Sequence, residues 1–260
     1  MTSNNTWSYT QTELLVTVAA SLLEDNKSAI LGTGLPLLAG LLAQQTHAPN
    51  LLLIFEAGGI GAQVPQLPIS VGDSRTFYRA NIASSMHDVM SAGQSGYIDY
   101  GFLGAAQIDP YGDLNTTVIG PHDLPKARLP GSGGAADIGS FAWKTIIVML
   151  NQDARRFVPR LDFLTTPGYL DGPGTRARAG LPAGTGPHRV ITQLGLYDFD
   201  ERTKRMRLIA VHAGVTVAEA RAATGFELLV ADQMAITDPP TEKQLRIVRQ
   251  LDPQGLILGR

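Results

Sequence analysis

Five short, largely apolar runs in which hydrophobic and polar residues do not alternate decide what this chain can fold into. They are Ala29 to Leu31, Leu51 to Phe55, Tyr97 to Leu103, Ile146 to Leu150 and Leu161 to Leu164. A strand with one wet face alternates, whereas a strand covered on both faces reads as a continuous hydrophobic run. Strands of the second kind belong to a parallel sheet with helices packed on both sides. The first connection agrees. Gly32-Thr33-Gly34 follows the first run, Pro36 suits a first helical turn, and Leu37, Leu38, Leu41 and Leu42 continue one helical face. Strand, glycine turn and helix open a parallel βαβ unit.

Other signals place the elements around it. Thr10 and Glu13 have capping-box spacing, and Leu14, Leu15, Val18 and Leu22 repeat at helical intervals, which predicts a helix from about Thr12 to Glu24. Asp109-Pro110-Tyr111-Gly112 reads as a turn with strand-like residues on both sides. Val190 to Thr192, Leu194 to Phe199 and Met206 to Val211 read as antiparallel strands, with Asp200 to Lys204 as a polar hairpin loop. Thr241 and Gln244 repeat the capping-box spacing before Leu245, Val248 and Leu251, so a closing helix is expected. The Pro- and Gly-rich stretch from Thr166 to Pro187 has no periodicity and is either a functional loop or a surface excursion. Without repeats or a low-complexity linker, residues 1–260 are expected to form one domain with a polar N-terminal extension over about 1–10.

Composition excludes several classes. Lys and Arg number 21 against 23 Asp and Glu, and no basic run occurs, so no nucleic-acid surface is expected. The absence of cysteine removes disulfides, thiolate metal sites and a thiol nucleophile. The five histidines lack metal-ligand spacing, and no metal site is expected. Met1 to Tyr9 shows no basic-then-apolar leader and no apolar stretch approaches a membrane span of about 20 residues, so the expectation is a soluble, cytoplasmic protein.

Two features suggest chemistry. The Leu51–Phe55 run ends at Glu56 and passes into Ala57-Gly58-Gly59-Ile60-Gly61. Ligands of open parallel sheets bind beyond the carboxyl ends of the strands, and the apolar strand ends there strip hydration from a carboxylate. Gly58 and Gly59 would let a ligand approach the backbone. The alternative is a glutamate that only caps or pairs at a strand end. The second feature is Lys126-Ala127-Arg128-Leu129-Pro130-Gly131-Ser132-Gly133-Gly134-Ala135. Successive glycines can point backbone N–H groups into one concave site that suits an oxyanion or phosphate, with Lys126 and Arg128 adding positive charge. The alternative is a flexible turn with a solvated basic pair. Gly32-Thr33-Gly34 lacks the third glycine of a dinucleotide fingerprint, and neither a P-loop nor a hydrolase nucleophile elbow is present.

Taken in order, the strings of this chain resemble the beta-type subunits of class I coenzyme A-transferases of the glutaconate CoA-transferase kind. They are Gly32-Thr33-Gly34-Leu35-Pro36, Glu56-Ala57-Gly58, Val71-Gly72-Asp73, Gly104-Ala105-Ala106-Gln107-Ile108-Asp109-Pro110-Tyr111-Gly112 and Gly131-Ser132-Gly133-Gly134-Ala135. Arg155-Arg156-Phe157, Thr166-Pro167-Gly168, Asp171-Gly172-Pro173-Gly174, Thr203-Lys204-Arg205-Met206 and Thr224-Gly225-Phe226 complete the set, which spans the chain from about residue 11. The resemblance implies a doubly wound, mostly parallel α/β fold and an alpha-type partner subunit that completes the active site. It also implies acyl-CoA and carboxylic acid substrates, a dicarboxylic acid being expected, with the CoA thioester as substrate and no bound cofactor. Glu56 takes the place of the family's nucleophile, and Gly133, Gly134 and Ala135 that of its oxyanion donors. Gly58, Gly59, Gln107, Lys126, Arg128, Gly131 and Ser132 are the expected CoA or substrate contacts. Arg79, Arg176 and Arg178 are candidates for a distal carboxylate or plain surface arginines. The family pattern has serine after the glutamate where this chain has Ala57, which bears on substrate detail. Two other readings stay open: a CoA-ester decarboxylase or hydrolase on the same scaffold, and a non-catalytic partner subunit.

Overall fold

The computed structural model describes residues 8–259, so the polar extension expected at the N-terminus lies largely outside them. Helix α1 (Gln11–Ser21) starts as its capping box requires: Thr10 Oγ1 accepts the Glu13 N–H, and the Thr10 N–H donates to the Glu13 carboxylate. Strand β1 (Ser28–Ile30), helix α2 (Leu35–Gln44) and strand β2 (Leu52–Ile54) form the expected βαβ unit. Two short strands, β3 (Gly59–Ile60) and β4 (Ile82–Ala83), extend the sheet beyond β2, and helix α3 (Met86–Gln94) leads to β5 (Tyr100–Leu103). Two ribbons follow: β6 (Gln107–Ile108) with β7 (Leu114–Asn115), around the expected Asp109–Gly112 turn, and β8 (Val118–Ile119) with β9 (Ala127–Arg128).

Helix α4 (Ala135–Phe141) returns the chain to the sheet as β10 (Lys144–Met149). The one-turn helix α5 (Thr175–Arg178) lies in the Pro- and Gly-rich stretch before β11 (Pro187–Thr192). Strands β12 (Gly195–Phe199) and β13 (Met206–Val211), helix α6 (Val217–Ala222), strand β14 (Leu229–Ile236) and helix α7 (Glu242–Leu251) complete the chain. One sheet of ten strands results, in the order β14-β13-β12-β11-β10-β5-β1-β2-β3-β4. Its centre, β11-β10-β5-β1-β2, is parallel throughout, and the expected antiparallel pairs β11/β12 and β12/β13 lie toward one edge.

Both faces of the sheet are apolar, as the unbroken runs require. Ala29, Leu53, Phe102, Ile146 and Ile191 turn to the core under α1, α2 and α7, while Ile30, Ile54, Leu103, Ile147 and Val190 turn to the core under α3 and α4. Arg249 of α7 donates to the fully buried Glu13 carboxylate of α1 at 2.7 and 3.1 Å, which joins the two ends of the chain.

One expected strand does not form. Residues 161–164 run over the surface beside the ribbons: Asp162 accepts from Gln107 Nε2 and the Gly120 N–H, Phe163 stacks on His122, and Leu164 is exposed. Bonding to ribbons instead of to the sheet leaves this segment no strand partner. Among the described residues, no helix is long and apolar enough to cross a membrane.

Candidate active site

A cleft of about 440 Å³ opens beyond the carboxyl ends of β1, β2 and β5. That is where a parallel sheet lets its loops part. Ile30, Leu31, Phe102, Leu103 and Ile138 make an apolar floor, Val71 and Leu129 line its sides, and among the described residues Glu56 is the only charged one in the lining.

Glu56 is placed by a tight hairpin. The Phe55 N–H donates to the Gly59 carbonyl and the Gly58 N–H to the Phe55 carbonyl, so the chain reverses directly after β2 and leaves Glu56 at the tip. Gly58 has φ +121°, and a side chain there would strike the Ser84 carbonyl; one at Gly59 would strike the Thr76 carbonyl. The close approach these glycines allow is therefore to the chain itself. Neither lines the cleft. Glu56 is half-buried and has no ion pair or hydrogen bond among the described residues. Its carboxylate lies directly against Gly134, where a Cβ would sit 2.8 Å from Glu56 Oε1 and 2.7 Å from Met90 Cε.

The glycine loop is pinned from below. The Gly131 N–H donates to the Thr116 carbonyl at 2.9 Å, and Thr116 Oγ1 donates back to the Gly131 carbonyl at 2.8 Å. Gly131 and Gly133 have φ of +93° and +49°, a region costly for any other residue. The Ala135 N–H donates to the Ser132 carbonyl at 2.9 Å and the Ala136 N–H to Ser132 Oγ at 3.2 Å. The N–H groups of Ser132, Gly133 and Gly134 have no partner within the described residues. Of the expected donors Gly133, Gly134 and Ala135, the first two have free amides among the described residues, while the Ala135 amide closes the turn that starts α4.

The other expected contacts divide. Gly131 and Ser132 line the cleft with Gly133, Gly134 and Ala135. Gln107 does not line it. It is buried, its amide nitrogen donates to Asp162, and its oxygen accepts from Asn115 Nδ2 and the Asp162 N–H. Lys126 and Arg128 are exposed on the β8/β9 ribbon outside the lining, with Arg128 donating to the His122 carbonyl. Arg79 and Arg178 are exposed away from the cleft. Arg176 is neither a surface residue nor a cleft residue: it is buried, and the two terminal nitrogens of its guanidinium donate to backbone carbonyls and to Thr185 Oγ1. Met90, Val71 and Thr116 were not legible as site residues. A methionine on a helix has no sequence signal tying it to a glutamate 34 positions away.

The chain belongs to the coenzyme A transferase family, whose model matches residues 13–222. It is 38% identical over 245 residues to the B-type subunit of 3-oxoadipate CoA-transferase from Pseudomonas knackmussii, with 94% of each chain covered. It is 36% identical over 254 residues to the B-type subunit of glutaconate CoA-transferase from Acidaminococcus fermentans, covering 94% of this chain and 93% of that one. The crystal structure of the Acidaminococcus fermentans glutaconate coenzyme A-transferase superposes with a TM-score of 0.92 at 33% identity, covering 96% of this chain and 98% of that one.

Proposed function

We propose that the chain is the beta-type subunit of a CoA-transferase and that Glu56 is its nucleophile. One observation carries the reading: an unpaired carboxylate at the end of a parallel strand meets, in a single apolar cleft, a loop whose Ser132, Gly133 and Gly134 amides have no partner. The two relatives named above are both B-type subunits, which supports an alpha-type partner that closes the cleft. No cation among the described residues lines the cleft, so the partner is expected to hold the charge of the incoming acid.

The chemistry follows from the geometry. The Glu56 carboxylate attacks the thioester carbonyl of an acyl-CoA; the C–S bond breaks, CoA thiolate leaves, and a mixed anhydride joins Glu56 to the acyl group. The thiolate then attacks the Glu56 carbonyl of that anhydride and releases the first acid as its carboxylate. A glutamyl-CoA thioester remains. The acceptor carboxylate attacks it, the thiolate leaves again, and its attack on the acceptor side of the new anhydride frees Glu56. Each addition puts negative charge on a carbonyl oxygen, and one preorganised amide aimed there supplies about 3 kcal/mol. Apolar walls strengthen that interaction by excluding water. The steps call for no metal or redox group, with CoA entering as part of the substrate.

The test is Glu56→Gln in the complex with the alpha subunit. The complex should assemble normally and lose CoA transfer between an acyl-CoA and acetate or a dicarboxylate. Transfer at the wild-type rate would remove Glu56 from the reaction.

A further inference from the structure

The segment 165–187 contributes nothing to the cleft lining, yet it holds both ends of the unit that presents the glycine amides. At one end, Thr165 Oγ1 accepts the Thr116 N–H at 2.9 Å, and Thr116 is the residue that grips Gly131 through its carbonyl and its hydroxyl. At the other end, Arg176 reaches the carbonyl terminus of α4. Its Nη2 donates to the Gly139 carbonyl at 3.2 Å, the Ser140 carbonyl at 3.0 Å and Thr185 Oγ1 at 2.7 Å. Its Nη1 donates to the Pro167 and Gly168 carbonyls at 3.1 and 2.7 Å. Between these anchors Gly139 packs on the Thr166 methyl with no room for a side chain.

Arg176 is only 7% exposed and forms no ion pair among the described residues. A buried guanidinium without a paired carboxylate is costly unless its protons are taken up. Here Nη1 and Nη2 span carbonyls on two segments at once, a geometry that a lysine ammonium cannot reproduce, while the buried Nε–H has no partner among the described residues. The negative end of the α4 dipole faces the charge. Burial works against the charge and lowers the Arg176 pKa, which Tyr169 and Asp113 only partly offset; Asp113 accepts the Gly168 and Leu170 N–H groups of the same segment.

We propose that Arg176 is a positioning residue for the acyl chemistry. By tying the carbonyl end of α4 to the 165–187 segment, it fixes the opposite end of that helix, and with it the Ser132–Gly134 amides, against Glu56. This rests on the assignment of Glu56 made above.

The experiment uses the assembled complex with the alpha subunit. Formation of the CoA adduct on Glu56 in a single turnover is measured beside kcat, KM and melting temperature, for wild type, Arg176→Lys, Arg176→Ala and the exposed neighbour Arg178→Ala. Arg176→Lys and Arg176→Ala should slow adduct formation and lower kcat by about a hundredfold while KM for the acyl-CoA stays near wild type. Added guanidinium ion, below denaturing concentration, should restore part of the lost kcat in Arg176→Ala, and Arg178→Ala should match wild type. A loss of kcat that only tracks loss of folded complex, without guanidinium rescue, would overturn the proposal. So would wild-type adduct kinetics in Arg176→Lys, or failure of both Arg176 variants to assemble. Absence of an adduct in the wild-type complex would overturn it too, and would place the failure in the Glu56 assignment itself.

Discussion

Gly134→Ala isolates the contact on which the site depends. Gly134 has φ −80° and ψ 1°, a conformation alanine adopts freely, so the backbone need not change. The added methyl would lie 2.8 Å from Glu56 Oε1, 3.1 Å from Glu56 Cδ and 2.7 Å from Met90 Cε. Ordinary van der Waals separation begins near ~3.5 Å, so the carboxylate has to retreat by about 0.7 Å. Both displaced groups are the ends of flexible side chains, and the loss of unfolded-chain entropy at a compatible Gly→Ala site offsets the crowding by about 0.4–1 kcal/mol. The melting temperature should therefore move by a few degrees at most. Activity should not escape so lightly. A misplacement approaching 1 Å in a reacting group costs roughly a hundredfold, which is about 2.7 kcal/mol in the barrier. The assay is steady-state CoA transfer by the alpha–beta complex, with circular dichroism to confirm the fold. Wild-type kcat in a folded Gly134→Ala complex would show that the carboxylate does not depend on its place against this loop.

Two other outcomes follow from the same structure. Gln107→Ala removes the buried amide that joins Asn115 to Asp162, and should destabilise the chain by about 1–3 kcal/mol in denaturant titration while leaving KM for the acyl-CoA unchanged. Asp109 is pushed up to about 8 by burial, with the Asp113 charge adding to it, from an ordinary value of 3.8. The folded state then holds a proton that the unfolded chain releases, so this group favours folding below about pH 4 and that contribution is lost as pH rises toward about 8. Melting temperature should fall across that window, and Asp109→Asn should flatten the fall; a wild-type curve that climbs steadily over the same range would contradict the burial argument.

Much of the scaffold was legible because hydrophobic burial writes itself into periodicity. Leu51–Phe55 and Ile146–Leu150 lack alternation because both faces of the sheet are covered, and both overlap parallel strands of the sheet. Thr10 with Glu13 and Thr241 with Gln244 marked helix starts directly, since cap geometry needs only four residues. Thr216 and Glu219 carry the same spacing before α6. The two-residue strands β3 and β4 were not legible, because pairing that short is decided by the Glu56 hairpin and not by pattern. Leu161–Leu164 misled for the opposite reason: apolar content without a neighbour to bond does not make a strand. At the site, Glu56 and the Gly131–Ala135 loop were separately visible, but their contact depends on where α4 begins. Arg176 was unreadable as a buried group, since nothing local separates a guanidinium that grips carbonyls from one in solvent.

Whether Glu56 carries the transferred group is decided by peptide mapping, using mass spectrometry on the complex quenched during turnover with an acyl-CoA. CoA should be found in thioester linkage on the peptide carrying Glu56, absent from the Glu56→Gln complex and discharged by an added acceptor acid. CoA covalently held on any other residue, or active turnover with the Glu56 peptide unmodified throughout, would contradict the assignment.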